Sequence, residues 1–224
     1  MLDKNKNYMY EAIVNSQHSL NKLTAGANYL DRKLSWNSPI IRESAELLES
    51  LGFEWWKKTN PDKENVKVET IDLLHFVTSE TIQRWYELDK NNFIAETISE
   101  LQNYFNEEDI YEELEDDIDN LSLEDLVNLL NYNRHDRFYI LKQMFKKQEM
   151  DNETVYVSYI TKNCLNIFRQ KNGYKEGTYI KMWNGQEDNV IAFELSNKIG
   201  AVETLSDELC EQLTNYYNKM VISK

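Results

Sequence analysis

The chain has 224 residues, with 39 Asp and Glu against 25 Lys and Arg and a formal charge of −14. That length suits one sizeable core and one domain spanning 1–224, and so acidic a surface excludes nucleic acid and anionic membranes as partners, since both demand a basic face. No apolar run approaches the ~20 residues of a bilayer span, no apolar signal core follows the amino terminus, and two cysteines require no bridge; the expectation is a soluble, cytoplasmic protein.

Glycine and proline are scarce, and Gly173, Gly177 and Gly185 crowd into one short segment. With Glu, Leu, Lys and Asn dominating elsewhere, the composition predicts an all-α protein with one irregular loop region towards the carboxyl end. A first helix is predicted from about Asn7 to Leu23, ending before Gly26. Ser38-Pro39 reads as the N-cap and first turn of a second helix, which stops at Gly52. A connector through Trp55-Trp56 and Pro61 then reverses the chain into a long helix from near Lys63 to about Leu88.

Two acidic pairs, Glu43–x–x–Glu46 and Glu69–x–x–Asp72, sit on the second and third of these helices. Spacing of i,i+3 puts both carboxylates of a pair on one face, and an αα-hairpin would bring all four together. In so acidic a chain such pairs also arise by chance on solvated faces. These two, however, are embedded in runs of Ile, Leu and Val, where acids are rare. Crowded buried carboxylates need cations. Oxygen donors select hard divalent ions, Mg²⁺ first, which usually serve phosphate chemistry.

From about Asn91 to Gln148 the chain is highly acidic, with Glu107-Glu108-Asp109 and Glu112-Glu113-Leu114-Glu115-Asp116-Asp117. It lacks the turn glycine and closing glutamate of a calcium loop. This block reads as solvated helices and a linker, able to move as a unit or to dock a protein partner. Ser122, three residues before Asp125, is the predicted N-cap of a helix within it. Cations concentrate between Tyr159 and Asn189. Lys162, Asn166 and Arg169 share one helix face; Tyr174 and Lys175 follow in a glycine loop, with Lys181 beyond. A basic face next to a glycine loop is what a polyphosphate needs opposite its metals. A salt-bridged surface helix is the bland reading.

In this order the elements resemble the dimeric all-α dUTPases, relatives of the MazG-like all-α nucleoside triphosphate pyrophosphatases. Glu43/Glu46, Trp55-Trp56-Lys57, Glu69/Asp72 and His75-Phe76 are similar to the family's hallmark. So are Lys162-Asn163-Cys164-Leu165-Asn166-Ile167-Phe168-Arg169-Gln170, Asn172-Gly173-Tyr174-Lys175-Glu176-Gly177 and Trp183-Asn184-Gly185-Gln186-Glu187-Asp188-Asn189, and Gln17 and Asn21 match an early Gln-x-x-x-Asn. The likeness spans 17–189, with the helical insert at about 91–148 poorly matched. Arg42 stands where many relatives carry a glutamate, and the stretch between Glu46 and Glu69 is a little shorter than in some.

The resemblance implies a helical bundle that completes its core as a homodimer, and Mg²⁺-dependent hydrolysis of dUTP and dUDP to dUMP. Glu43, Glu46, Glu69 and Asp72 would bind two or three Mg²⁺, with Mn²⁺ as a substitute, and Glu43 would orient or deprotonate the attacking water. Lys162, Asn166, Arg169, Tyr174, Lys175 and Lys181 would hold the phosphates. Gln17 and Asn21 would read the uracil edge, Phe76 and either Trp55 or Trp56 would wall the ring, and His75 would sit near the sugar. Two alternatives stay open. One is the same chemistry on dCTP or a broader nucleotide set. The other is an interaction protein that docks a regulatory partner through 91–148; some phage-encoded members of the family double as regulators, so the two roles are compatible.

Overall fold

Nine helices make up most of the described chain: α1 (Asn7–Ala25), α2 (Asn37–Leu51), α3 (Lys63–Leu88), α4 (Phe93–Asn106), α5 (Leu123–Tyr132), α6 (Arg137–Lys147), α7 (Asn152–Lys171), α8 (Asp188–Ile199) and α9 (Leu205–Ile222). The computed structural model describes residues 6–106, 118 and 120–222; the acidic run from Glu107 to Asp117 lies outside the described residues. Strand is confined, among these residues, to a two-residue antiparallel pair, β1 (Met182–Trp183) against β2 (Gln186–Glu187). The all-α expectation holds, and no helix among the described residues is long and apolar enough to cross a membrane.

The central element is α3. Its N-cap, Asp62, accepts a hydrogen bond from the Asn65 amide, as a first turn requires. Buried Ile71, Leu73, Leu74, Val77 and Ile82 fall on several sides of it, so it is enclosed by α1, α2, α4, α6 and α7. Its closest partner is α2, and the hairpin between them is shut by backbone and side-chain bonds. Gly52 takes the left-handed conformation (φ 71°). A Cβ there would come within 2.8 Å of Thr59 Oγ1, so only glycine fits this closure. Asp62 N donates to Ser50 O at 2.9 Å across the turn.

At its other end α2 starts earlier than Ser38-Pro39 predicts. Trp36 occupies the N-cap and Ile40 N donates to its carbonyl. The Ser38 hydroxyl pairs with Ser35 Oγ at 3.3 Å and caps nothing. Pro39 therefore lies inside the first turn, where its missing N–H costs little.

The described part of 91–148 is not the solvated spacer its composition suggests. Leu101 of α4, Leu126, Val127 and Leu130 of α5, and Leu141 and Met144 of α6 are fully buried in the same core as α1 and α3. A capping box joins Ser122 and Asp125 at the start of α5, as predicted. Buried Arg137 pins α6 in place: it donates to Leu130 O at 3.0 Å and Asn37 Oδ1 at 2.7 Å, and it pairs with Glu80. A buried guanidinium with partners on three other elements does not belong to a unit that swings free.

Candidate active site

Three of the four predicted carboxylates meet where α2 crosses α3. Oxygens of Glu43, Glu69 and Asp72 all lie within 4.8 Å of one another. One residue on, Ser44 is buried, and Asn131 Nδ2 of α5 donates to its hydroxyl at 2.8 Å. That bond ties α2 to α5 next to Glu43. Asn65, one turn before Glu69, donates to Glu69 Oε1 at 3.1 Å and to Ser50 Oγ at 2.7 Å, and so fixes that carboxylate. Glu46 is outside the trio and pairs with Arg42 at 2.9 Å. The residue that departs from the family pattern thus holds the fourth acid, although Glu46 still adds repulsion to the other three.

The electrostatics of the trio are those of like charges in a confined space. Burial pushes Glu43 up to about 7, helped by Asp72, Glu46 and Glu69 and opposed by Arg42. Burial also raises Glu69, with Asp72 next in effect. Asp72 is raised by burial despite its ion pair with Lys162 Nζ at 2.8 Å. An all-oxygen donor set that repels itself fits a hard divalent cation. It also sets a sign for stability. Glu43 binds an extra proton in the folded state between about 4.5 and about 7, so its contribution to stability falls as pH rises through that window. In metal-free protein, thermal melts from pH 5 to 8 are expected to show this decline, and Glu43→Gln is expected to flatten it.

A cavity of about 300 Å³ opens beside the carboxylates, and Asp72 belongs to both. Gln17 and Asn21 of α1, His75 and Phe76 of α3, Asn166 and Arg169 of α7, and Tyr174 of the glycine loop line it together with Trp36. Lys162 stands beside it through Asp72. Four predicted site residues lie elsewhere. Trp55 and Trp56, 87% and 58% exposed, pack edge-to-face on each other in the α2–α3 turn; the tryptophan that walls the cavity is Trp36, anchored by Nε1–H to Gln83 Oε1 at 2.8 Å. Lys175 is exposed on its loop, and Lys181 lies 3.7 Å from Glu187 beside the hairpin. A larger cavity of about 360 Å³ adjoins the other side of Trp36. It holds none of the clustered carboxylates and is bridged by Arg84–Glu100 and Arg137–Glu80 pairs, so the carboxylate trio goes with the smaller one.

Arg169 reaches the cavity already committed on one side. Its Nε and one terminal nitrogen each donate to Asp188 at 2.7 Å, a bidentate pair across the α7–α8 interface. Asp188 is fully buried and also accepts from the Tyr179 hydroxyl at 2.8 Å. Burial alone would raise its pKa, but these bonds outweigh it and hold the carboxyl below the usual range. The other terminal nitrogen of Arg169 points to Asn166 Oδ1 at 3.5 Å, and the guanidinium lies 5.9 Å from the Tyr174 ring centroid. Sequence reasoning missed Trp36 and Asp188 as site residues. Asp188 lay within a quoted motif, and an acid 19 positions after Arg169 was the available signal.

The sequence pattern of the family described as dUTPase matches residues 9–174, which include the carboxylate trio, the cavity wall and the whole of 91–148. The chain belongs to the dUTPase family. It is therefore a dUTP-hydrolysing enzyme of the all-α type. No curated protein matches the chain. Asp188, which orients Arg169 in this dUTPase, lies beyond the matched stretch, as do Lys175 and Lys181.

Proposed function

We propose that the enzyme converts dUTP, and also dUDP, to dUMP with Mg²⁺ held by Glu43, Glu69 and Asp72, Glu46 standing next to them and Mn²⁺ serving as a substitute. The observation that carries this reading is the trio of carboxylates within 4.8 Å, one of which also lines a cavity of about 300 Å³. When bound, the ion supplies polarisation of the phosphoryl oxygens and a water acidified towards neutral pH. The chain's own groups supply the rest. Glu43, titrating near 7, suits a general base for that water. Lys162 and Arg169 place positive charge around Asp72 and the cavity, where it can neutralise charge developing on the departing phosphate. Asn166 and Tyr174 would hold the phosphate chain, while Trp36 and Phe76 wall the base.

A homodimer belongs to the same reading. Ile41, Trp55, Trp56 and Tyr132 are exposed, and a second copy would cover such apolar surface. The deciding experiment is turnover. With Mg²⁺ and dUTP, ion-exchange chromatography should show dUMP and pyrophosphate; dUDP should yield dUMP and phosphate, and EDTA should stop both. Formation of dUDP from dUTP, or undiminished turnover in EDTA, would sink the proposal.

A further inference from the structure

The chain has two cysteines, and the fold brings them together. Cys164 is fully buried on α7, two positions from both Lys162 and Asn166 and so on the opposite side of the helix from them. Its Sγ lies 3.4 Å from Ser206 Oγ and 3.6 Å from Ser206 O on α9. Cys210 stands one helical turn beyond Ser206 on the same face, and its thiol is within hydrogen-bonding reach of Cys164. Neither sulfur is in a disulfide, and Cys210 is half-buried where Cys164 is enclosed.

The surroundings divide the roles. The Cys164 thiol holds Cys210 below the ordinary thiol range, with help from Lys171 and against burial and Asp207. Cys164 itself is raised by its bond to Cys210 and by burial. A more acidic thiol within reach of solvent, beside a second thiol that stays protonated, is the arrangement of a peroxide-sensing pair.

We propose that Cys210 and Cys164 are a redox-modification site, at which hydrogen peroxide converts the two thiols into a disulfide that staples α9 to α7. The Cys210 thiolate attacks one peroxide oxygen and breaks the O–O bond, which leaves a sulfenic acid on Cys210 and releases hydroxide. The Cys164 sulfur then attacks the Cys210 sulfur. An S–S bond forms, the S–O bond breaks, and the Cys164 proton leaves with the departing hydroxide as water. Two thiols and one hydrogen peroxide thus give one disulfide and two waters. The loop so closed runs from residue 164 to residue 210 and holds Arg169, the glycine loop, the hairpin and Asp188. Helix α9 already braces that region: Tyr217 stacks on Tyr179 at 5.6 Å with 13° between the planes, and Tyr179 donates to Asp188. The staple therefore stiffens the support of Arg169 and leaves the cavity side of α7 untouched.

The test treats the full chain with hydrogen peroxide and follows it by mass spectrometry, calorimetry and dUTP turnover. Wild type should lose two hydrogens, yield one linked peptide pair containing Cys164 and Cys210, and melt about 5–15 °C higher than its dithiothreitol-treated form. Its dUTP turnover, held just below the midpoint of the reduced form, should last several-fold longer once oxidised. Cys210→Ser should show neither the mass loss nor the shift in melting. Cys164→Ala should hold Cys210 as a sulfenic acid that dimedone traps; circular dichroism checks its fold, and Cys164→Ser replaces it if it does not fold. An unreacted wild type, a bond formed only between chains, sulfinic acid on Cys210 with no bond, or an oxidised midpoint no higher than the reduced one overturns the proposal. Each of these leaves dUTP hydrolysis standing, and the mass and melting measurements need no substrate.

Discussion

Glu69→Gln is expected to lower kcat/KM for dUTP by about 10³-fold, the equivalent of about 4 kcal/mol, while raising the melting temperature of the metal-free protein. The opposite signs follow from one fact. Glu69 is 9% exposed and shares a space within 4.8 Å with Glu43 and Asp72. Burial and Asp72 both push its pKa up, so its charge opposes folding where no cation is bound. The glutamine keeps the Oε1 that accepts from Asn65 and removes only the charge. Repulsion then falls, and so does the affinity for the ion that the reaction needs, a trade of stability against activity expected at such a site. Calorimetry in EDTA gives the first quantity and steady-state kinetics the second. Unchanged kinetics would rule out a metal role for Glu69, and a lower melting temperature would overturn the repulsion argument. Glu46→Gln is expected to lose less, because Glu46 sits apart and pairs with Arg42.

Asp188→Ala is expected to cost about 3–5 kcal/mol of stability and, at about 2–4 °C per kcal/mol for a chain of this size, to lower the melting temperature by roughly 10 °C. The substitution strands a guanidinium whose side chain is only 14% exposed, and it removes the acceptor of Tyr179 as well. Activity should fall about 10²-fold in kcat/KM, because Arg169 loses the two bonds that aim it at the cavity. The pair can be separated from the fold by replacing both members. Asp188→Leu with Arg169→Met should recover most of the stability, since apolar residues of similar volume often replace a buried pair without loss, and should recover none of the activity. Recovery of activity in the double variant would remove Arg169 from the phosphate site.

The long third helix was legible almost to its ends, because Asp62 caps it and apolar residues run through it. The two acidic pairs were legible for the same local reason, a three-residue spacing inside apolar runs. Glu46 was not, since its neighbour one turn back, Arg42, competes for it on an exposed face. The tryptophans went the other way. Trp55-Trp56 is conspicuous in the chain but lies on the outside of a turn, whereas Trp36, without any motif around it, is carried to the cavity by the packing of α2 on α3. Residues 91–148 misled through composition: net charge reports on the outward faces, while Leu101, Leu126, Leu130 and Met144 bury the inward ones.

By itself, then, the sequence determined the all-helical class, the hairpin of α2 and α3 and the kinds of group available to a phosphate. These depend on spacing along one helix, which is local. The tertiary structure alone decided which carboxylates share a space and which cation reaches them. Each of those depends on distances between helices far apart in the chain, and in a crowded, poorly solvated site a difference of a few ångströms determines whether a charge is a ligand, a partner or a bystander.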